Sequence, residues 1–269
     1  MSYTFDDLRR LMRYLRDPEH GCPWDLQQTY RSIAPHTLEE CFELVDAIES
    51  GDSDQIRQEL GDVLFQVVFY SQLAEEAGDF QFAEVVDGIV RKLLRRHPHV
   101  FPDEVLTRPD RGRAASEPEI KRRWEEIKAE ERAGKAQHGI LDDIPRALPA
   151  LSRAQKLQKR AATVGFDWSS PEAVLAKLEE ERAELAAALA AGDRAAQADE
   201  LGDLLFVLVN LARHLGLDAE TVLRGANRKF ERRFRHMEST AEKSLSELDP
   251  ATLESLWEQA KTALSREPS

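Results

Sequence analysis

The chain has 269 residues, a formal net charge of -13, and 42% hydrophobic, 32% charged and 7% aromatic residues. That length suits two modest domains and that balance suits soluble helices, so the fold class is expected to be all-α, while the negative charge argues against a stable grip on nucleic acid or an anionic membrane. Cys22 and Cys41 alone make no disulfide framework, the N-terminus lacks a basic-then-apolar leader, and no apolar run reaches bilayer length, so a reduced, cytoplasmic protein is expected.

Phe5, Leu8, Leu11, Met12 and Leu15 stand at helical spacing and predict a short amphipathic helix from Phe5 to Arg16, ending before Asp17-Pro18. Gly21-Cys22-Pro23-Trp24-Asp25 is turn-rich. There Trp24 and Cys22 are expected to pack inside, and Asp25 is placed to cap the next helix. His20 and Cys22 have no second Cys/His pair at zinc spacing, which argues against a soft-metal site. Asp25, Gln28 and Thr29 are candidate substrate contacts, although capping explains them as cheaply.

After Pro35 the pattern predicts a helix with Leu38, Phe42, Leu44, Val45 and Ile48 on one face and Glu39, Glu40 and Glu43 beside them. Its partner, Ile56 to Ala74, is apolar on most sides through Val63, Leu64, Phe65, Val67, Val68, Phe69 and Tyr70. A helix apolar nearly all round needs several neighbours. One short domain offers few, so the bundle is expected to be completed by a second copy, either the other half of the chain or another chain in a homodimer.

These two helices place Glu40, Glu43, Glu59 and Asp62 at separations of 3, 16 and 3, and adding 141 to each number gives Glu181, Glu184, Glu200 and Asp203. The turns obey the same offset: Gly51-Asp52 maps onto Gly192-Asp193, and Glu59-Leu60-Gly61-Asp62 onto Glu200-Leu201-Gly202-Asp203. The chain is therefore an internal repeat. Residues i and i+3 share a helix face, so each ladder presents two carboxylate pairs that a turn can bring together. Converging carboxylates repel one another and call for cations, and hard oxygen ligands favour Mg²⁺ or Mn²⁺. A lone Glu-x-x-Glu is usually just the wet face of a helix. The repetition weakens that explanation, as do the apolar runs Val63-Leu64-Phe65 and Leu204-Leu205-Phe206 that follow the aspartates.

A third helix is predicted from Phe82 to Arg96, ending in the basic run Arg91-Lys92-Leu93-Leu94-Arg95-Arg96-His97-Pro98-His99; Arg228-Lys229-Phe230-Glu231-Arg232-Arg233 matches it at an offset of 137. Such runs complement a helix dipole, and beside a metal site they can also clamp phosphates. Pro102 to Pro118 reads as a linker, followed by a helix from about Glu119 with Trp124 and Ile127 and a solvated tail to about Gln137. The second half then offers Leu151 to Ala162, Gly165-Phe166-Asp167-Trp168, the second ladder, a helix through Val222 to Arg235, and a last helix opened by Asp249-Pro250 with Leu253, Leu256, Trp257, Ala260 and Leu264 as its stripe. The expected organisation is a helical domain over 1–102, a linker with an exposed helix over 103–144, and a second helical domain over 145–269.

Leu15-Arg16-Asp17-Pro18, Gly21-Cys22-Pro23-Trp24-Asp25, Thr37-Leu38-Glu39-Glu40, Glu59-Leu60-Gly61-Asp62, Arg95-Arg96-His97-Pro98-His99-Val100-Phe101, Val164-Gly165-Phe166-Asp167-Trp168 and Phe230-Glu231-Arg232-Arg233-Phe234 span nearly the whole chain. With these strings it resembles the MazG family of nucleoside triphosphate pyrophosphohydrolases in its long, two-domain bacterial form, departing mainly in the linker. The paired acids alone are shared with all-α dUTP, dCTP and phosphoribosyl-ATP hydrolases. The resemblance implies tandem all-α bundles that dimerise, and Mg²⁺-dependent cleavage of nucleoside triphosphates between the α and β phosphorus, with broad tolerance of base and sugar. It also implies that Glu181, Glu184, Glu200 and Asp203 are metal ligands and that Lys177, Glu180, Lys229, Phe230, Arg232, Arg233 and Trp257 contact the nucleotide; which carboxylate orients the water stays open, with Glu180 the candidate because it stands just before the first ligand. A di-iron bundle of ferritin type is the weaker alternative, since it needs Glu-x-x-His and neither ladder holds a histidine. A non-catalytic helical binding module is the other.

The halves differ in one telling way. Asn227, whose amide can bond a phosphate or sugar oxygen, stands at the 137 offset from Val90, and Trp257 has no counterpart after Arg95-Arg96. The second half is therefore expected to carry most turnover, with Glu40, Glu43, Glu59 and Asp62 as a weaker second metal set in a structural or regulatory first half.

Overall fold

The computed structural model of the chain describes residues 2–106, 116–134 and 139–264. Among these it is all-α, with eleven α-helices, one 3-10 turn at Leu245–Glu247 and no strand. The chain divides into two compact units, Met1–Glu130 and Glu131–Ser269.

In the first unit α1 (Phe5–Leu15) starts at a capping box in which Thr4 and Asp7 satisfy each other's backbone, and short α2 (Pro23–Gln27) follows. The next helix, α3 (Tyr30–Ser50), begins before Pro35 rather than after it. Thr29 and Ser32 form its capping box, and a proline at the sixth position removes only one hydrogen bond from a 21-residue helix. Asp25 is thus not the cap of α3; it lies inside α2 with its side chain buried. Trp24 corrects another expectation, since it remains half exposed with its edge against His36, and Cys22 is only half-buried. Gly51 ends α3 in the left-handed conformation and Asp52 caps α4 (Ser53–Ala77). The antiparallel pair α3 and α4 is the frame of this unit; α1 and α5 (Phe82–Arg96) pack on α4. Met12, Ile33, Val68, Phe69 and Leu73 form the core, with Leu8, Phe65 and Tyr70 against it. In α6 (Glu117–Gly134) Ile127 is buried and Trp124 meets the His97 ring edge-on. Residues 107–115 of the expected linker and 135–137 of the expected solvated tail lie outside the described residues.

The second unit repeats the frame. α7 (Ala150–Ala162) packs on α9 (Arg194–His214), which pairs with α8 (Pro171–Ala191), while α10 (Ala219–Thr240) lies against α7 and α11 (Pro250–Leu264). Ser170, Asp193, Asp218 and Asp249 cap the four helices they precede. Val174, Ala188, Val207, Val209, Met237 and Ala260 are buried, together with the polar side chains of Gln158, Glu181 and Asn210; Gln158 donates to the Phe206 carbonyl at 2.7 Å, and Asn210 accepts from Arg213 at 3.3 Å.

In neither unit is the central helix covered all round. Leu60, Leu64 and Val67 of α4 and Leu201, Leu205, Phe206 and Leu208 of α9 stay exposed on this single chain. No helix among the described residues is long and apolar enough to cross a membrane.

Candidate active site

The second ladder is built by α8 and α9. Gly192 takes the left-handed backbone (φ 71°) that turns the chain between them. It sits midway between Glu184 and Glu200, eight residues from each (192 - 184 = 200 - 192 = 8), so the antiparallel helices bring those two side chains to the same height. Glu181, Glu184 and Glu200 converge, with one carboxylate oxygen of each within 4.8 Å of the others. Glu181 is buried at 4% exposure, Glu200 half-buried and Glu184 exposed. Burial first, then the charges of Glu184, Glu181, Asp199 and Asp203, push the Glu200 carboxyl up from its ordinary value. Asp203 thus acts on the cluster through its charge but does not join the triplet.

One cation answers this charge. Lys177 donates to Glu180 and to Glu181, each at 2.8 Å, and these two carboxylates hold its ammonium well above the usual lysine range. Glu180 points to the lysine and also stays outside the triplet. The all-oxygen donor set, with three carboxylates converging, fits a hard divalent cation such as Mg²⁺.

The first ladder folds in the same way around Gly51 (43 + 8 = 51, 51 + 8 = 59). Oxygens of Glu40, Glu43 and Glu59 lie within 4.8 Å of one another, again with the aspartate, Asp62, outside the triplet. Burial, then Asp62, Glu43, Glu39 and Glu59, push Glu40 up; burial, then Glu43 and Asp62, push Glu59 up. The cation differs. At the 141 offset Lys177 becomes His36, which sits 3.5 Å from Glu39, the counterpart of Glu180. Sequence reasoning passed over this replacement, although the offset itself points to it.

The expected nucleotide contacts of α10 and α11 form a separate cluster. Phe230 stacks on Phe234 and meets Trp257 at 5.3 Å, and the Arg233 guanidinium lies 5.7 Å from the Trp257 ring centre. Asn227, Lys229 and Arg232 are exposed on the same helix. The triplet belongs to α8 and α9, while α10 packs mainly on α11 and α7 and also touches α9. The arrangement offers an acidic metal cradle and, apart from it, a cationic and aromatic face suited to phosphates and a flat ring.

Comparison with known proteins finds the repeat in a family model. The family model described as the MazG nucleotide pyrophosphohydrolase domain matches residues 28–101 and 169–238, so each match contains one complete ladder. A nucleoside triphosphate pyrophosphohydrolase of Escherichia coli K12 is 52% identical over 261 residues, covering 95% of this chain and 96% of that one. A nucleoside triphosphate pyrophosphohydrolase/pyrophosphatase MazG of Thermotoga maritima is 44% identical, covering 96% and 95%. The uncharacterized protein YabN of Bacillus subtilis is 40% identical across 97% of this chain, which spans 52% of it.

Proposed function

The chain belongs to the MazG nucleotide pyrophosphohydrolase family, and from that premise we propose that it is an enzyme hydrolysing nucleoside triphosphates to the monophosphate and pyrophosphate. The observation that carries the proposal beyond membership is the second triplet, Glu181, Glu184 and Glu200, with buried Glu181 neutralised by Lys177. Water adds its oxygen to the α phosphorus, the bond to the bridging oxygen toward the β phosphorus breaks, and pyrophosphate leaves.

Glu181, Glu184 and Glu200, with Asp203 alongside, would hold Mg²⁺, for which Mn²⁺ can substitute. Such an ion supplies neutralisation of the triphosphate and a more acidic water. Glu180, one residue before the first ligand, takes and orients the proton of the attacking water. Lys177, 2.8 Å from both Glu180 and Glu181, would be the cation nearest to phosphates held beside the triplet. Lys229, Arg232 and Arg233 neutralise the phosphate tail and Asn227 bonds a phosphate or sugar oxygen. Trp257 and Phe230 offer ring faces on which any base can stack, which supports broad tolerance of base and sugar and a role in nucleotide-pool control in the cytoplasm.

The exposed leucines of α4 and α9 support a homodimer in which a second copy covers these stripes. It would also bring a second α10 and α11 to the assembly. The second unit, with Lys177, Asn227 and Trp257, carries most turnover, and the first is structural or regulatory.

The test is incubation with each nucleoside triphosphate and Mg²⁺, with the phosphate products resolved. Pyrophosphate and the monophosphate in equal amounts are expected. Orthophosphate as primary product would sink the α to β cleavage, and no turnover of any triphosphate would leave the binding-module alternative.

A further inference from the structure

Each carboxylate triplet stands on a helix pair that a tight turn ties at one end only. At the other end charge adds to buried packing, with Ile33, Phe69 and Leu73 in the first unit and Val174 and Val209 in the second. In the first unit Arg16, at the end of α1, donates from Nε to Glu76 of α4 at 2.8 Å and from Nη2 at 2.6 Å. The same guanidinium donates to the carbonyls of Asp25 and Gln28, just ahead of the α3 cap, and lies over Phe69. In the second unit Asp167, three residues ahead of the α8 cap Ser170, accepts from Arg213 Nη2, while His214 Nε2 stands 3.2 Å from the same oxygen at the end of α9. Arg16 at 7% exposure, Arg213 at 17% and Asp167 at 22% are well covered, whereas Glu76 stands at 35%. Both acids sit below the usual carboxylate range: burial pushes them up, and the hydrogen bonds from Arg16 and Gln72, or from Arg213 and His214, outweigh it.

The two clasps have opposite polarity. In one the cation precedes the first helix of the pair and the anion ends the second; in the other the signs are exchanged. The packing of the repeat alone would explain neither pair, whereas a need to hold this end of the hairpin explains both. The leverage is large, because Glu181 lies eleven residues from Gly192 (192 - 181 = 11), about 16 Å along a helix rising about 1.5 Å per residue. An opening of about 5° there moves its carboxylate by about 1.4 Å, against a tolerance of about 0.2 Å in metal-ligand distances.

We propose that Asp167 is a positioning residue, pinning the segment ahead of α8 to Arg213 and His214 and so setting the splay of α8 and α9 that fixes Glu181 and Glu184 against Glu200. This rests on the reading of the triplet as a metal site, and the experiment separates the two.

The full chain carrying Glu43→Ala, which removes a ligand of the first triplet, is titrated with Mn²⁺ and followed by electron paramagnetic resonance. Hydrogen exchange of the same protein is measured without metal. Asp167→Arg and Arg213→Glu are each expected to weaken Mn²⁺ binding about tenfold or more, the effect of removing a group that orients metal ligands. Both should also speed exchange in the first half of α8 while leaving α10 and α11 unchanged. The double variant, which installs the polarity of the first unit, should recover most of both losses. Single variants indistinguishable from the parent, or a double variant no better than the singles, would overturn the proposal. Absence of Mn²⁺ binding by the parent would overturn the metal reading, and the exchange measurements would still decide the clasp. Should the reversed variants not fold, Asp167→Asn decides: it keeps an acceptor for Arg213 but loses the charge. Several-fold weaker binding with faster α8 exchange then supports the clasp, and unchanged values overturn it.

Discussion

Glu184→Ala and Glu43→Ala form the pair of substitutions that tests which unit works. Each removes one of three carboxylates whose oxygens lie within 4.8 Å, from the exposed side of the triplet, and replaces it with the best helix former. Among the described residues neither side chain makes a tertiary ion pair, so both variants should keep the fold, and relief of repulsion within the triplet favours the metal-free protein slightly. Their effects on turnover should diverge. Loss of an orienting partner one step removed from a metal costs about 10- to 100-fold in affinity or activity, and loss of a ligand itself costs more. Glu184→Ala is therefore expected to lower pyrophosphate release at about 1 mM Mg²⁺ by more than about 100-fold, which corresponds to about 2.7 kcal/mol of transition-state stabilisation. Glu43→Ala should cost less than about twofold, because the first unit lacks the counterparts of Lys177, Asn227 and Trp257. The assay is initial-rate pyrophosphate release across a Mg²⁺ series, with thermal melts as the check on folding. The reverse ranking, or equal halving by each substitution, would refute the assignment of turnover to the second unit.

Trp257→Ala removes both the ring that Phe230 meets and the face under Arg233; it should raise KM about tenfold with a smaller change in kcat, and a fall in kcat alone would contradict a binding role. Leu205→Glu places a charge in the exposed stripe of α9, so light scattering should show a homodimer for the parent at micromolar concentration and a 30.5 kDa monomer for the variant; a monomeric parent would refute the dimer. The Glu200 carboxyl lies above its usual value near 4.5, so the folded chain holds more protons than the unfolded one between that pH and the raised value, and stability falls as pH rises through this window. Glu40 and Glu59 act in the same sense, whereas Asp167 and Glu76, with lowered values, lose stability as pH falls at more acid pH. Thermal melts of metal-free protein should therefore show a decline above about pH 4.5 that Glu200→Gln flattens and Mg²⁺ reverses; an unchanged slope in Glu200→Gln would count against the raised carboxyl.

The sites were legible in the chain because helical geometry is local. Acids at i and i+3 share a face whatever surrounds them, and a glycine set midway between Glu184 and Glu200 fixes their heights from residue counting alone. The aspartates show where counting stops. Asp62 and Asp203 share the periodicity of the glutamates, yet both stay outside their triplets, since a shorter side chain one turn further along does not reach the same point. Pro35 was misleading for a different reason: a helix breaker ends a helix only if its missing hydrogen bond is not outweighed, and the Thr29 box with the packing of Ile33 outweighs it.

What the sequence determined by itself was therefore what short-range pattern carries: the all-α class, the internal repeat, the Asp249-Pro250 start of the last helix and the two carboxylate faces. The tertiary structure decided what depends on residues far apart in the chain. Asp167 meets Arg213 and His214 across 46 and 47 positions, and Arg16 meets Glu76 across 60, with no spacing rule linking them. It also decided that Lys177 serves Glu181 as well as Glu180, that Trp24 stays half exposed, and that α9 keeps a bare apolar stripe. Burial and long-range charge pairing are properties of the packed helices, and periodicity along one helix does not say what will stand opposite it.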